Sequence, residues 1–179
     1  LDVVREVKAK LPKTKIAYDA NYTDSAAKSD GSGASGGEFE RWRYRLVDLK
    51  PKAGQKDASA EAWKTFSDLW LEFDYIGLDI YRNLMAEGQT VPTSYEALVA
   101  KLKERTDQFA GDLDTKLATI ETAVGKPKKI VIKEIGFKSC ENCFINPYEY
   151  DASAKAKKVN VSHQAASFDA FMQSFVKPG

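Results

Sequence analysis

The sequence predicts an α/β fold in which short parallel strands alternate with helices. The clearest strand is KKIVIKEIGFKS at residues 128–139, a nearly continuous run of apolar, mainly β-branched residues that is typical of a buried parallel strand. Two further strands are predicted in KIAYDANY at 15–22 and FDYIGLDIY at 73–81. Helical patterns lie between the strands, and this alternation predicts a parallel sheet with right-handed crossovers.

Apolar residues that recur every three to four positions predict the helices around these strands. The predicted helices cover 1–11, 60–71, 95–104, 109–124 and 162–176. Pro12 ends the first, an aromatic stripe runs along the second, and a break is expected near Gly111. Three strands leave two open edges, so we expect the sheet to belong to a larger parallel assembly. An open flavodoxin-like sheet is the alternative, but no glycine-rich phosphate loop follows the first strand.

An insertion at about 24–60 separates the first strand from the second helix. Its first part is rich in Ser, Gly and Ala, which predicts a flexible loop rather than a domain boundary. An aromatic and arginine-rich stretch, EFERWRYRL, follows at 38–46. Trp42 within it has two interpretations: a platform that binds a ligand at the rim, or a side chain that pins a long loop onto the body.

Length and charge narrow the possible function classes. The chain has 179 residues, enough for one domain with a sizeable core. Its net charge is +1, from 27 basic and 26 acidic residues, so we expect neither a nucleic acid nor a membrane as partner. No signal peptide is recognised, and the first residues already resemble a helix inside a domain. We therefore expect a fragment or a processed product.

The two cysteines, Cys140 and Cys143, form a C-x-x-C sequence in a predicted loop. Two ligands do not complete a tetrahedral zinc site, and the single histidine, His163, lies twenty residues away. A redox dithiol normally opens a helix after a strand, which the following residues do not predict. Free thiols and a local disulfide both remain open. We expect no metal site and no cofactor, and a solvated or capping role for His163.

Polar side chains stand where the predicted strands end. Glu134 ends the third strand, Asp79 and Tyr81 end the second, and Asn21 ends the first. Because α/β proteins bind substrates at the carboxyl ends of their strands, these residues are candidates for a functional site. Glu134 could also be a structural glutamate that pairs with a lysine at the sheet edge. Asp19 shares a face with Asn21 but lies one pleat deeper.

The second and third strands resemble a known pattern. FDYIGLDIY, followed some fifty residues later by KPKKIVIKEIGFKS, is similar to the sixth and seventh strands of retaining clan A glycoside hydrolase barrels. Family 113, the β-mannanase-like enzymes, and related barrel domains of phage-like particles offer the nearest pattern. The matching residues are Asp74, Tyr75, Ile76, Gly77, Asp79, Tyr81, Glu134, Ile135, Gly136, Phe137, Ser139, Pro147, Tyr148 and Gln164. KIAYDANY resembles the fifth strand.

The resemblance implies a partial (β/α)8 TIM barrel, approximately strands 5 to 7 with their helices, as one partial catalytic domain over 1–179. It also implies that Glu134 is the nucleophile and that Tyr81 orients it. Asn21, Asp79 and Trp42 are then candidates for substrate binding. Lys133 departs from the family, which usually has Thr or Ser before the glutamate.

Retaining hydrolysis requires a second carboxyl group about 5–5.5 Å from the nucleophile. In the family this acid/base glutamate ends the fourth strand, which would precede Leu1, so we expect this chain alone to be unable to complete the double displacement. The expected function is thus that of a retaining, β-mannanase-like glycosidase acting on an oligo- or polysaccharide, with the missing barrel strands as partner and an extracellular location favoured. The alternative is an inactive barrel-derived module that binds carbohydrate or serves a structural role.

Overall fold

The computed structural model describes residues 1–26, 33–148 and 157–176. These residues form a mixed α/β structure around a small, open, three-stranded parallel sheet in the order β1-β2-β3. The strands are β1 Ala17–Thr23, β2 Tyr75–Tyr81 and β3 Lys129–Ile135. The helices are α1 Asp2–Lys10, α2 Gly37–Arg43, α3 Ala58–Glu72, α4 Tyr95–Val124 and α5 Val161–Phe175, and a π-helical segment, Tyr44–Asp48, continues α2.

The predicted α/β class, the parallel sheet and the strand positions are confirmed. Two predictions about helices are wrong. The expected break near Gly111 does not occur, and α4 runs without interruption through thirty residues. The stretch predicted as a rim loop after residue 37 instead forms α2 and its π-helical continuation. Part of the predicted flexible loop, 27–32, lies outside the described residues.

Two glycines start α2 close to the end of β1. Gly36 and Gly37 have φ angles of 131° and 57°, which L side chains rarely adopt. A Cβ on Gly37 would lie 2.7 Å from Oγ1 of Thr23 and 2.9 Å from the carbonyl oxygen of Asn21. The glycine-rich composition of this segment therefore permits a tight connection as well as a loop.

The chain divides into two compact units. The first unit consists of Leu1–Ile80 and Thr115–Glu134, and the second of Tyr81–Asp114 and Ile135–Gly179. In the first unit, α2 packs on the sheet face formed by alternate residues of β1 and β2, and α3 packs against α2 and its π-helical continuation. The buried side chains of this face are Ala20, Tyr22, Ile76, Leu78 and Ile80. Tyr22 packs edge-on against Phe39 of α2 at a ring separation of 6.0 Å.

The other face of the sheet is open, and β3 is less buried than we predicted. No residue of β3 is fully buried, and Val131, Lys133 and Glu134 are exposed. The reason is that β3 lies at the edge of the described sheet rather than between two strands. A nearly continuous apolar sequence is therefore compatible with an edge strand.

In the second unit, α4 and α5 enclose buried apolar side chains together with the buried hydroxyl groups of Thr106, Ser167 and Ser174. Thr106 on α4 is fully buried, and its hydroxyl lies 2.6 Å from that of Ser174 on α5. The loop after β3 is held by two hydrogen bonds to the segment 83–84: the Leu84 amide donates to the Phe144 carbonyl at 2.9 Å, and the Asn146 amide donates to Oδ1 of Asn83 at 3.0 Å.

Candidate functional site

A cluster of charged side chains lies on the three neighbouring strands of the sheet in the first unit. Asp19 lies on β1, Asp79 on β2, and Lys133 and Glu134 on β3. Asp19, Lys133 and Glu134 are exposed, whereas Asp79 is half-buried. Three carboxylates and one ammonium group thus lie on three neighbouring strands.

Gly77 allows β1 and β3 to interact across the central strand. A Cβ at this position would lie 1.8 Å from Oδ1 of Asp19 and 2.8 Å from Cγ of Lys133, so both side chains occupy the space above the glycine. The Lys133 ammonium nitrogen lies 4.0 Å from Oδ2 of Asp19. The ion pair therefore crosses β2 where that strand has no side chain.

Asp79 is surrounded mainly by negatively charged side chains. Partial burial raises the pKa of its carboxyl group, and the negative charges of Glu134 and Asp19 raise this pKa further. The positive charge of Lys133 acts in the opposite direction. Asp79 therefore holds a proton more readily than an ordinary aspartate does.

Glu134 is exposed near the end of β3 and interacts electrostatically with Asp79. Side chains alternate between the faces of a strand. Lys133 covers Gly77 on the open face, but Lys133 and Glu134 are both exposed, so the regular alternation of burial along β3 ends at these two residues. The lysine at which the chain departs from the glycosidase pattern thus occupies the open face beside Asp19.

The other candidate residues occupy different environments. Asn21 is exposed at the end of β1, where its backbone carbonyl contacts the start of α2. Tyr81 belongs to the second unit and is half-buried. Its ring lies over Gly136, where a Cβ would be 3.5 Å from Cε1 of Tyr81.

Trp42 belongs to the core of the first unit. It is only 5% exposed, and its ring packs against Tyr18, Phe66 and Trp70 with centroid separations of 5.2, 5.3 and 5.6 Å. The expected stacking platform at the rim is therefore corrected: the ring is enclosed by other aromatic side chains. It fastens α2 to β1 and α3, which is the alternative role that the sequence allowed.

Sequence reasoning did not assign Asp19 and Lys133 to one interacting group. Alternation within each strand groups Asp19 with Asn21 and Gly77 with Asp79, but the positions of the strands relative to one another are not visible in the sequence. The available signal was Gly77, because a glycine inside a strand often marks the close approach of another group.

His163 has a structural role in the second unit. It lies in the first turn of α5, where its backbone amide donates to Oδ1 of Asn160 at 3.0 Å. Its Nδ1 atom accepts a hydrogen bond from the Asn142 amide at 3.0 Å. The imidazole therefore links the loop after β3 to α5.

Among the described residues, no group of three His, Cys, Asp or Glu side chains is arranged to hold a metal ion. In the same part of the chain, no helix has both the length and the apolar character that crossing a membrane would require. Comparisons with models of protein families, with curated proteins and with solved structures found no match.

Proposed function

We propose that the protein is the nucleophile-bearing part of a retaining glycoside hydrolase of the β-mannanase-like type, built as part of a (β/α)8 barrel. The observation that carries the proposal is the electrostatically coupled pair formed by Glu134 and Asp79 at the carboxyl ends of adjacent parallel strands. Substrate chemistry in α/β barrels occurs at this end of the strands. The resemblance of the two strand sequences to clan A enzymes supports the same assignment.

In the proposed reaction, Glu134 attacks the anomeric carbon of a β-linked sugar and forms a covalent glycosyl-enzyme, which water then hydrolyses. Tyr81 orients the nucleophile, while Asn21 and Asp79 bind sugar hydroxyl groups. The acid/base carboxyl group comes from another strand of the barrel, which residues 1–179 do not include. Trp42 has no part in this proposal because its ring is buried.

A second candidate function is that of an inactive, barrel-derived module that binds carbohydrate. The observation that favours it is the ion pair of Lys133 with Asp19, which covers the centre of the open sheet face. A polar sheet face of this kind offers hydrogen-bonding groups to a sugar without a carboxylate placed for attack.

A mechanism-based label distinguishes the two candidates. We expect that incubation with a 2-deoxy-2-fluoro-β-mannosyl fluoride adds one fluoromannosyl group to the protein, because the fluorine slows hydrolysis of the covalent intermediate and fluoride leaves without acid assistance. Mass spectrometry of the digested protein should locate the sugar on Glu134. The activated leaving group makes the test independent of the acid/base residue.

The matched variants are Glu134→Gln and Glu141→Gln, two exposed glutamates seven positions apart. The first should abolish labelling and the second should leave it unchanged. If the wild-type protein binds β-mannan in affinity electrophoresis but takes up no label, the second candidate function, an inactive carbohydrate-binding module, is supported and the glycosidase proposal is wrong. A label on any other carboxylate would refute the assignment of Glu134.

A further inference from the structure

Of the two cysteines of the second unit, Cys140 directly precedes a turn and Cys143 lies within it. Cys140 pairs with Val159 in an isolated antiparallel bridge, and residues 141–144 form the turn that follows. Asn142 within the turn has a φ of +54°, which allows the chain to reverse direction sharply. Cys140 and Cys143 are three positions apart around this reversal and close enough for Cys140 to act electrostatically on the Cys143 thiol. Residues at this spacing in a tight turn have Cα atoms within about 7 Å, close to the range in which a disulfide forms.

Both cysteines are free and buried, with exposed fractions of 7% for Cys140 and 3% for Cys143. The Sγ atom of Cys143 lies 3.6 Å from the hydroxyl of Ser167 on α5. Two buried thiols therefore share one small turn.

The turn is fixed to the rest of the second unit on both sides. The Glu141 amide donates to the Lys158 carbonyl at 2.8 Å, and the Asn160 amide donates to the Ser139 carbonyl at 3.1 Å. The amide of Asn142 donates to the imidazole of His163. These bonds hold the backbone around Cys140 and Cys143 in the turn conformation before any bond forms between them.

We propose that Cys140 and Cys143 are a redox modification site at which a low-molecular-weight disulfide oxidises the two thiols to an intramolecular disulfide within the turn. The inference does not depend on the glycosidase proposal, because it concerns the second unit alone and its readout is covalent.

The reaction proceeds by two thiol–disulfide exchanges. The thiolate of Cys140 attacks one sulfur of glutathione disulfide, forms a mixed disulfide and releases one glutathione thiolate. The thiolate of Cys143 then attacks the sulfur of Cys140 and releases the second glutathione. The protein loses two electrons and two protons, and the glutathione disulfide gains them as two thiols.

The environments of the two thiols set this order. Burial raises the pKa of the Cys143 thiol, and the neighbouring Cys140 raises this pKa further, whereas the contact with Ser167 lowers it. At neutral pH Cys143 therefore holds less thiolate than an ordinary cysteine does, and its side chain is also the more buried of the two. Cys140 accordingly reacts first with the external disulfide, and Cys143 resolves the intermediate.

The test treats reduced protein with glutathione disulfide at neutral pH and follows the intact mass with time. We expect the wild-type protein to lose the mass of two hydrogen atoms and to become resistant to alkylation by iodoacetamide. The Cys143→Ser variant should accumulate one stable glutathione adduct. The Cys140→Ser variant should form its adduct more slowly, by about threefold for each unit by which the thiol pKa is raised, because the loss of thiolate is partly offset by the greater nucleophilicity of the thiolate.

Circular dichroism of both serine variants verifies that they are folded. Persistent free thiols in the wild-type protein would overturn the proposal, and so would a lasting mixed disulfide with glutathione. Equal rates of adduct formation in the two variants would overturn the assignment of Cys140 as the first nucleophile.

Discussion

Asp79 is the carboxyl group whose ionisation reports most directly on the charge cluster around the sheet. Burial, Glu134 and Asp19 raise its pKa, while Lys133 lowers it. A change at either neighbour on β3 should therefore alter the titration of Asp79, even though neither change touches Asp79 itself.

We predict opposite shifts for two substitutions on β3. Glu134→Gln should lower the pKa of the Asp79 carboxyl group, because a negative charge that disfavours ionisation is removed. Lys133→Met should raise this pKa, because a stabilising positive charge is lost. The measurement is an NMR titration that follows the side-chain carboxyl carbon of Asp79.

Glu141→Gln is the control for the titration, since Glu141 does not contribute to the shift of the Asp79 pKa. Shifts of the same sign in both β3 variants, or no shift in either, would show that Asp79 does not sense the charges on β3. In the Glu134→Gln variant the pKa of Asp79 should still lie above that of an ordinary aspartate, because burial is the largest cause of the raised pKa.

At the residue scale, the sequence predicted which polar side chains are available but not which of them meet. The period of two along a strand is enough to place Asp19 beside Asn21, and Gly77 beside Asp79. The ion pair of Lys133 with Asp19 depends on the register between strands, which the hydrophobic patterns do not specify. The burial of Trp42 likewise depends on tertiary contacts, so both interpretations of this residue fitted the sequence.

At the scale of single elements, Lys128 joins the start of β3 to the end of α3. Its ammonium group donates to the carbonyl oxygen of Leu71 at 3.0 Å and also to that of Phe73. Partial burial and the positive charges of Lys126 and Lys8 lower the pKa of Lys128 to about 8. A cation here satisfies carbonyl groups at the carboxyl end of a helix, but with some loss of hydration.

We predict that Lys128 makes the stability of the protein depend on pH in the alkaline range. Between about pH 8 and pH 10.5 the folded protein releases this proton while the unfolded chain retains it. The unfolded state then binds more protons, so the contribution of Lys128 to the free energy of unfolding should become more favourable as pH rises through this window.

Urea unfolding of the wild type and of Lys128→Met at several pH values measures this contribution as a difference, which removes the effect of the other lysines. The free energy of unfolding of the wild type should rise relative to that of the variant between pH 8 and 10.5. A difference that stays constant with pH, or that falls, would contradict the lowered pKa.

The helices show where local sequence signals are sufficient. The apolar spacing and caps predicted α1, α3 and α5 to within a few residues, because their amphipathic patterns and end signals agree. Gly111 suggested a break in α4, but a single glycine is tolerated within a helix at a modest free-energy cost. The helix α2 was missed because its start depends on Gly36 and Gly37 in conformations that the sequence alone does not reveal.

At the scale of the whole molecule, the first unit contains one charge network that is removed from solvent. Glu40 on α2 is fully buried, and both of its carboxylate oxygens accept hydrogen bonds from Nε of Arg43 at 2.9 and 3.0 Å. The ammonium nitrogen of Lys116 on α4 lies 3.0 Å from Oε2 of Glu40 and donates to the carbonyl of Ser35. Segments distant in sequence therefore meet at one carboxylate.

We predict that Glu40→Gln lowers the free energy of unfolding by about 3 kcal/mol, because it removes the buried negative charge that faces Arg43 and Lys116, although Arg43 keeps its ion pair with Asp48. Equilibrium unfolding in urea measures the change. Glu121→Gln, an exposed glutamate on α4, should change the stability by no more than about 0.5 kcal/mol. A loss of stability at Glu40 as small as that of the control would contradict a buried, coupled network.

The sequence predicted the α/β class and the alternation of elements, because periodicity and turn residues are local properties. It did not predict the division into two compact units, since that division follows from which helices pack together. Nor did it reveal Glu40 as a buried charge: the residue lies in a charged stretch that, in isolation, resembles a solvent-exposed surface.

The lysines of β3 also bear on how the protein avoids self-association. Ile130, Val131 and Ile132 form a short β-branched segment on a strand that borders the described sheet, and such a strand can serve as a template for pairing with another chain. Lys128 and Lys129 precede this segment and Lys133 follows it, so positive charges flank it on both sides. Flanking charges of this kind are a recognised defence against fibril formation. Lys133 thus meets a solubility requirement at the same position where it pairs with Asp19.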